Sequence, residues 1–251
     1  MTARNKIYFA SDFHLGLKAG MDPLLREKHA VSWLKMAATD AKAIYLVGDI
    51  FDFWWEYKSV VPKGFTRFLG TVSELTDSGM EIHFFTGNHD MWIGDYLSDE
   101  CGMILHTKPL LTELMGKKFY IAHGEGLGIK DRSYKLLLMV FRNKFLRRLY
   151  SALHPRIGLA IAHNWSRHSR LAKNYSEEFM GAENESLIRH AYDLLGKNEI
   201  DFFIFGHRHI ALDYLLNNKE SRVFIMGNWF NAPCYVRWDG KKAELKEFSY
   251  R

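Results

Sequence analysis

Short apolar segments recur along the chain, and each is followed directly by polar residues. Six of them are four or five residues long, largely apolar rather than alternating, and rich in β-branched and aromatic side chains: residues 7–10, 43–47, 82–86, 119–122, 202–205 and 223–226. Continuous apolar character of this length is typical of strands that are buried on both faces. The pattern therefore predicts six strands in the interior of a layered structure.

Segments with helical periodicity lie between these strands. Residues 23–39, 65–78 and 184–195 repeat apolar side chains at intervals of three or four, and Gly79 and Gly196 supply C-terminal stops. Residues 131–184 contain no convincing strand and predict two or more helices inserted between the fourth and fifth strands. The alternation of strands and helices predicts an α/β fold, and the length fits a single domain, 1–251, that carries this insertion.

The composition is that of a soluble globular protein, with 47% hydrophobic and 25% charged residues. The longest uninterrupted apolar run, residues 136–141, is far shorter than the roughly 18 residues of a membrane-spanning helix. The polar N-terminus lacks a signal-peptide pattern, and the two cysteines, Cys101 and Cys234, lie in no metal-binding or redox spacing. We therefore expect a cytoplasmic protein.

The charge is distributed unevenly along the chain. The whole chain carries +5, but residues 130–173 contain eleven basic residues and one acidic residue, a net charge of +10, so the remainder carries −5. A uniformly basic nucleic-acid-binding protein does not have this distribution. The chain instead combines one basic, apolar segment with a mildly acidic body.

Aspartate, asparagine and histidine residues follow five of the six predicted strands, usually beside glycine. The runs are Ser11-Asp12-Phe13-His14, Gly48-Asp49-Ile50-Phe51-Asp52, Gly87-Asn88-His89-Asp90, His123-Gly124 and Gly206-His207-Arg208-His209. Any one run can be interpreted as an ordinary turn or helix cap. Five runs at five strand ends indicate a common site, because ligand sites in open α/β sheets form outside the carboxyl ends of the strands.

The residue types in these runs predict a metal centre. Carboxylates, an amide and imidazoles without thiolate suit Mn²⁺, Fe²⁺ or Zn²⁺. In Asp12-x-His14 and His207-x-His209 the paired side chains share a side if the chain stays extended. The candidates are too many for one tetrahedral ion, which favours two ions bridged by a carboxylate, and such centres promote in-line attack on phosphorus.

Taken in order, these runs resemble the motif set of the calcineurin-like metallophosphoesterases. The resemblance implies a four-layered αββα sandwich with a two-metal site, in which a metal-bridging hydroxide attacks phosphorus. It assigns the first ion to Asp12, His14, Asp49 and His209. It assigns the second ion to Asp49, Asn88, His123 and His207. We expect two divalent ions, with Mn²⁺ preferred over Fe²⁺ and Zn²⁺.

A closer resemblance is to the UDP-2,3-diacylglucosamine pyrophosphatases of lipid A biosynthesis. It rests on the runs that begin at Gly48, His89 and His123, and on residues 161–170, which resemble that family's inserted cap. It implies hydrolysis of the diphosphate of UDP-2,3-diacylglucosamine to UMP and an acylated glucosamine 1-phosphate. The chain departs from that family at Asp52, where the family has Glu, and at His89, where it has Arg. The wider superfamily has His at this position, and we predict that His89 is catalytic, stabilising charge on phosphoryl oxygens and protonating the leaving oxygen.

The basic segment is then interpreted as a helical cap at residues 131–184. Eleven large apolar side chains between residues 134 and 153 are interleaved with arginine and lysine. Such a helix can dock on an anionic membrane, roof a cavity for acyl chains, or simply pack on the core. We expect an acyl-binding cap that also associates with the inner face of the cell membrane. The predicted contacts to the acylated nucleotide-sugar are Asp131, Arg132, Tyr134, Ser169, Arg170 and Lys173.

Two other functions remain open at this level. The same two-metal centre suits a phosphodiesterase of nucleotides or nucleic acid, although the basic segment has mostly aliphatic side chains rather than the aromatic ones on which bases stack. A non-enzymatic membrane adaptor stabilised by metal is the other, and His89 beside a ligand argues against it. We expect neither a nucleic acid nor a protein partner.

Overall fold

The computed structural model describes residues 4–127, 139–141, 143–161, 164 and 178–250. The described residues form eleven strands. In chain order they are β1 Lys6–Ala10, β2 Ala41–Val47, β3 Glu81–Phe85, β4 Ile104–His106, β5 Leu110–Leu114, β6 Lys117–Ile121, β7 Phe202–His209, β8 Leu212–Leu215, β9 Arg222–Gly227, β10 Cys234–Trp238 and β11 Ala243–Glu247.

Five helices alternate with or follow the strands in the same residues. They are α1 Pro23–Ala38, α2 Thr66–Asp77, α3 Tyr96–Asp99, α4 Lys144–Ser151 and α5 Ser186–Leu195, and a further helical stretch covers residues 155–161. Asp22 caps α1 by accepting the backbone N–H groups of Leu24 and Leu25, and Pro23 occupies the first turn. α2 ends at Asp77, and Gly79, which follows the C-cap Ser78, has a φ of 83° that favours glycine.

The strands form two sheets that are packed face to face. One sheet has the order β11-β10-β1-β2-β3-β4 and the other β5-β6-β7-β9-β8. β1 to β4 are mutually parallel, as are β6, β7 and β9, so the polar runs predicted to be functional follow parallel strands. The antiparallel strands lie at the sheet margins.

Three apolar clusters between the layers confirm the αββα sandwich. Alternate residues of β1 face opposite ways, since Ile7 and Phe9 pack between the sheets whereas Tyr8 and Ala10 pack under α1 and α2. A third cluster joins the second sheet to α5. The order of layers is therefore helices, sheet, sheet and helix, which explains why the central strands are apolar on both faces.

The sequence pattern found all six central strands and missed five others. β5 and β8 alternate between half-buried and exposed residues, and β11 has only one fully buried residue and is largely polar. β4 has only three residues. β10, whose first three residues are buried, completes the first sheet beside β1. Short or polar strands of this kind depend on their neighbours for stability and carry a weak local signal.

Two described helices lie within the predicted insertion, α4 and the stretch at 155–161. Tyr150 and Leu159, one from each, pack on a small aromatic cluster formed by Phe53 and Trp55. The boundaries predicted for the cap, 131 and 184, remain a prediction. In the part of the chain that the structure describes, no helix has both the length and the apolar character needed to cross a membrane.

Candidate metal centre

Five of the predicted ligands have a left-handed backbone conformation. Their φ angles are 56° at Asp12, 44° at His14, 52° at Asp49, 67° at His207 and 58° at His209. This conformation costs a residue with a side chain roughly 1–3 kcal/mol, and such residues concentrate at functional sites. The condition of an extended chain in Asp12-x-His14 and His207-x-His209 is therefore not met, because each of these residues has the left-handed conformation.

The first cluster of possible ligands consists of Asp12, His14 and His209. Nε2 of His14 lies 3.1 Å from Nε2 of His209 and 3.7 Å from Oδ1 of Asp12. Nε2 of His209 lies 3.3 Å from the same oxygen. Asp12 and His14 follow β1 in one sheet, whereas His209 ends β7 in the other. The three ligand atoms thus come together only because the two sheets are packed face to face.

The second cluster consists of Asp49, His123 and His207, with Asn88 beside them. Nε2 of His123 lies 3.2 Å from Oδ2 of Asp49. Nδ1 of His207 lies 2.8 Å from Oδ1 of Asn88. His207 and His209 are therefore divided between the two clusters rather than shared by one.

Asp49 is placed between the clusters. Its Oδ2 lies 3.2 Å from Nε2 of His123 and 3.9 Å from Nε2 of His14. Its Oδ1 accepts the backbone N–H of His89 at 2.8 Å. Gly87 allows this close approach, since a Cβ there would collide with the Asp49 carboxylate. One carboxylate oxygen consequently faces both clusters, as a bridging ligand must.

The hydrogen bonds of His123 indicate that the centre requires cations. Its Nδ1–H donates to the carbonyl of Val47 at 2.9 Å, so its Nε2 faces the Asp49 carboxylate, and a proton or a metal ion has to lie between them. This Nε2 and Oδ1 of Asp12 are buried without a hydrogen-bond partner among the described residues. Buried acceptors that face one another are unfavourable unless a cation lies between them.

The separations between ligand atoms also fit a metal ion. With metal–ligand bonds of about 2.1 Å, neighbouring ligands on one ion lie roughly 3.0–3.4 Å apart. The three shortest nitrogen–nitrogen and nitrogen–carboxylate separations, 3.1, 3.2 and 3.3 Å, lie in this range. The residues present therefore fit divalent cations.

The charges of the carboxylates dominate the electrostatics. Burial alone would lower the pKa of both His123 and His209, but Asp49 holds the pKa of His123 and Asp12 holds that of His209 above the usual value. Burial works against ionisation of both carboxyls, yet the neighbouring imidazoles hold the pKa of Asp12 and Asp49 below the usual range. The centre thus keeps two carboxylates ionised and attracts positive charge.

A comparison with protein families identifies the motif set. Residues 5–211 match the family model of calcineurin-like phosphoesterases, a span that contains all seven predicted metal ligands. The chain is a calcineurin-like phosphoesterase. With its clustered carboxylates and imidazoles, this phosphoesterase is a hydrolase that binds divalent metal.

The phosphoesterase is similar to named proteins over nearly all of both sequences. It is 46% identical to a UDP-2,3-diacylglucosamine hydrolase of Porphyromonas gingivalis over 97% of each chain. It is 28% identical to the hydrolase of the same name from Hamiltonella defensa, over 97% of this chain and 96% of the other. The solved structure of an archaeal phosphodiesterase matches with a TM-score of 0.50 and 14% identity, over 97% of this chain and 99% of that one. The similarity to the archaeal structure shows only that the two chains share a fold.

His89 lies at the edge of both clusters in the phosphoesterase. A ring nitrogen of His89 lies within 4.8 Å of ligand atoms of His14 and Asp49, and its ring meets that of His14 edge to face at 4.9 Å. Its Nδ1–H donates to the carbonyl of Asp52 at 2.9 Å. The other ring nitrogen, Nε2, is therefore the one that can serve the centre. The side chain is 17% exposed, so it is reachable from outside the centre.

Asp90 is a residue of the site that the sequence analysis quoted but did not assign. Its buried carboxylate accepts the backbone N–H groups of Gly87 at 2.7 Å, Ile50 at 2.8 Å and Phe51 at 3.3 Å. It therefore ties the loop that carries Asn88 to the loop that carries Asp49. An Asp that closes a Gly-Asn-His-Asp turn was the local signal for this role.

The predicted substrate contacts lie outside the described residues. These are Asp131, Arg132, Tyr134, Ser169, Arg170 and Lys173. Their assignment stays a prediction, as does the individual role of each metal ligand.

Proposed function

We propose that this phosphoesterase hydrolyses the diphosphate of UDP-2,3-diacylglucosamine to UMP and the acylated glucosamine 1-phosphate, as part of lipid A biosynthesis. The observation that carries the proposal is the 46% identity to the Porphyromonas gingivalis hydrolase over 97% of both chains. An alignment of that extent spans the basic insertion as well as the metal centre. The shared part therefore includes the segment that we expect to recognise the acylated sugar.

Two divalent ions would occupy the centre. Asp12, His14, Asp49 and His209 would hold one ion, and Asp49, Asn88, His123 and His207 would hold the other. The oxygen and nitrogen donors without thiolate suit Mn²⁺, with Fe²⁺ and Zn²⁺ as alternatives. When bound, the ions supply the Lewis acidity that activates water for in-line displacement at phosphorus.

His89 acts on the phosphoryl group from outside the ligand set. The carbonyl of Asp52 holds its Nδ1–H, so the ring orientation is set and Nε2 faces away from the loop. A proton on Nε2 stabilises negative charge on a phosphoryl oxygen and is available to the leaving oxygen. Arg, which the pyrophosphatase family has here, supplies charge but cannot release a proton.

Product analysis tests the proposal. Protein loaded with Mn²⁺ is incubated with UDP-2,3-diacylglucosamine, with a cyclic nucleotide and with single-stranded DNA, and release of UMP is followed by chromatography. We expect UMP from the first substrate, with Asp49→Asn as the inactive control. Faster cleavage of the cyclic nucleotide or DNA would establish the phosphodiesterase instead, and hydrolysis of none of the three would favour the adaptor.

We also propose that the protein works in the cytoplasm, at the inner face of the cell membrane, through α4. Phe145 and Leu149 are 73% and 60% exposed, and Arg147 and Arg148 are exposed on the same short helix. Apolar side chains beside cations are the pattern of helices that lie in an anionic lipid surface. The exposure of Phe145 and Leu149 supports a docking or roofing role for α4 over packing of these two side chains on the core.

Vesicle sedimentation tests the membrane proposal. The protein is mixed with phosphatidylcholine vesicles that contain or lack phosphatidylglycerol, and Leu149→Asp is compared with Leu111→Asp, which changes a leucine that is 50% exposed on β5. We expect binding to the anionic vesicles only, lost in Leu149→Asp and kept in Leu111→Asp. Equal binding by both variants would contradict a docking role for α4.

A further inference from the structure

Phe230 contacts both imidazoles of the first cluster. Its ring centroid lies 5.8 Å from that of His14 and 5.5 Å from that of His209. The two histidines belong to different sheets, and Phe230 follows β9 at the place where the sheets meet. One aromatic ring therefore limits how far either imidazole can rotate away from the other.

Arg26 contacts both His14 and Phe230. It is fully buried on α1, and its guanidinium carbon lies 5.6 Å from the centroid of the Phe230 ring. Its Nη1 donates to the carbonyl of His14 at 2.7 Å, and its Nη2 donates to the carbonyls of Ala19 at 2.6 Å and Met21 at 2.8 Å. A planar guanidinium with several donors can hold three carbonyls at once, which an ammonium group cannot do in this geometry.

A backbone hydrogen bond closes the arrangement. The N–H of Met21 donates to the carbonyl of Phe230 at 3.3 Å, so the loop held by Arg26 also holds the residue that packs on the imidazoles. His14 needs such support because its left-handed backbone, with φ of 44°, is intrinsically unfavourable.

We propose that Phe230 and Arg26 are positioning residues of the first metal site, and that they hold His14 and His209 in the orientation in which a divalent ion binds both. This inference rests on the metal centre of the proposed function. The second cluster is held by other contacts, since His123 donates to Val47 and Asn88 meets His207. Loss of the Phe230 ring therefore weakens the first site selectively, and residues around a metal site typically change affinity roughly 10- to 100-fold when mutated.

A titration with Mn²⁺ tests whether loss of the Phe230 ring weakens the first metal site more than the second. Wild-type protein and Phe230→Ala are stripped with chelator and titrated with Mn²⁺, and bound metal and electron paramagnetic resonance spectra are recorded. We expect two bound ions with the multiline spectrum of a coupled pair in the wild type. In Phe230→Ala we expect one dissociation constant to increase at least about tenfold while the other changes little, with the spectrum of an isolated ion at intermediate Mn²⁺. Phe230→Tyr, which keeps the ring, restores the pair.

Phe248→Ala is the matched control. Phe248 is also half-buried, and its ring packs on Trp229, the residue before Phe230, at 5.4 Å. It loses the same side-chain volume next to the same tryptophan, and we expect it to bind two ions like the wild type. Equal weakening in both alanine variants, or unchanged binding in Phe230→Ala, would overturn the inference.

The number of Mn²⁺ ions that the wild type binds distinguishes a failure of this inference from a failure of the proposed function. A wild-type protein that binds fewer than two Mn²⁺ ions contradicts the proposed metal centre itself. A wild-type protein with two ions and a Phe230→Ala variant with the same two affinities contradicts the positioning role alone. Arg26→Lys adds an independent check, because lysine keeps the charge but loses the planar geometry that holds three carbonyls. We expect this variant also to bind Mn²⁺ more weakly at the first site than at the second.

Discussion

Neighbouring residues of the metal centre have separate tasks, and His89 and Asp90 illustrate this. His89 directs its ring towards the centre, whereas the Asp90 carboxylate accepts N–H groups from two loops and belongs to none of the candidate ligand groups among the described residues. A single turn thus brings an imidazole to the metal centre and a carboxylate to the backbone of two loops.

At His89, substitution separates catalysis from metal binding. We expect His89→Ala to lower turnover of UDP-2,3-diacylglucosamine by a factor of about 100 or more while two metal ions remain bound, because the ligands themselves are untouched. Turnover and metal content are measured on the same preparation. Loss of one ion would show instead that His89 is a ligand, as its position within 4.8 Å of His14 and Asp49 allows.

At Asp90, substitution affects the alignment of two loops. Asp90→Asn places an amide N–H₂ group where one carboxylate oxygen accepted backbone N–H groups, and each buried donor left unpaired costs about 1–3 kcal/mol. We expect a lower free energy of unfolding in urea and weaker Mn²⁺ retention. The control is Asp22→Asn, which also replaces an acceptor of two backbone N–H groups, because Asn caps helices nearly as well as Asp. Similar losses in both variants would contradict a special role for Asp90.

At the scale of elements, an ion pair between a buried carboxylate and a half-buried guanidinium joins α5 to β7. Glu185, at the start of α5, is 1% exposed, and both of its carboxylate oxygens lie 3.1 Å from Nε of Arg208. Arg208 lies between His207 and His209, so this pair attaches the ligand-bearing end of β7 to the helix layer.

Neutralising Glu185 leaves the Arg208 charge without that partner. Removal of one member of a buried pair typically costs about 3–5 kcal/mol, and we expect a loss of this order for Glu185→Gln in urea unfolding followed by circular dichroism. Glu183→Gln, two residues earlier and exposed, should change the free energy of unfolding by less than about 0.5 kcal/mol. A loss below 1 kcal/mol for Glu185→Gln would contradict this assignment.

A histidine pair makes the edge strand β4 sensitive to pH. Nδ1 of His83 on β3 lies 2.9 Å from Nε2 of His106 on β4, and the His83 ring stacks on Tyr45 at 4.2 Å. Burial and the neighbouring His106 lower the pKa of His83 to about 4, although Glu81 acts in the opposite direction, and burial also lowers the pKa of His106. The folded state therefore favours the neutral rings.

The sign of the pH effect follows from these shifts. The unfolded chain binds protons near pH 6.5 but the folded chain does so only near pH 4, so stability is fully present above pH 6.5 and is lost as the pH falls towards 4. Between pH 7 and 5 we expect the wild type to lose about 2 kcal/mol more than His83→Phe, both measured by urea unfolding in chelator. His154→Gln, at an exposed histidine, should behave like the wild type. Parallel pH profiles for wild type and His83→Phe would contradict the prediction.

At the scale of the whole molecule, the metal centre connects the two sheets. Its ligands follow β1, β2 and β3 in one sheet, and they follow β6 or lie at the end of β7 in the other. Ions bound at this boundary stabilise the packed sheets, because the separated sheets cannot supply a complete ligand set.

Removal of metal should therefore lower global stability. At Mn²⁺ concentrations about 100 times the dissociation constant, binding contributes about 2.7 kcal/mol, and we expect chelator to lower the unfolding temperature accordingly. Asp49→Asn should lose most of the Mn²⁺-dependent part, because Asp49 faces both clusters. Calorimetry measures the difference in unfolding temperature between metal-loaded and chelated protein, for the wild type and for Asp49→Asn. An unchanged unfolding temperature in chelator would contradict this coupling.

The central strands and the ligand-bearing runs could be predicted because each is encoded by residues that are close together in the sequence. Val47 ends an apolar run and Asp49 follows it, so the strand end and the ligand are adjacent in the chain. Arg26 and Phe230 have no such signal: one resembles any helical arginine and the other any apolar residue after a strand. Their contacts with His14 join residues that are far apart in sequence.

The amino-acid sequence by itself determined which strands are followed by polar runs, which donor atoms the metal centre offers, and that the fold is a layered α/β fold. These properties follow from apolar periodicity and from which side chains come after each strand. The family resemblance had already assigned His209 and His207 to different ions and Asp49 to both. Only the tertiary structure decided that these side chains converge from two sheets, and that Asp90, Arg26 and Phe230 support them. The reason is physical, since left-handed backbone angles, buried hydrogen bonds and ring contacts arise when two sheets pack together, and neighbouring residues do not encode them.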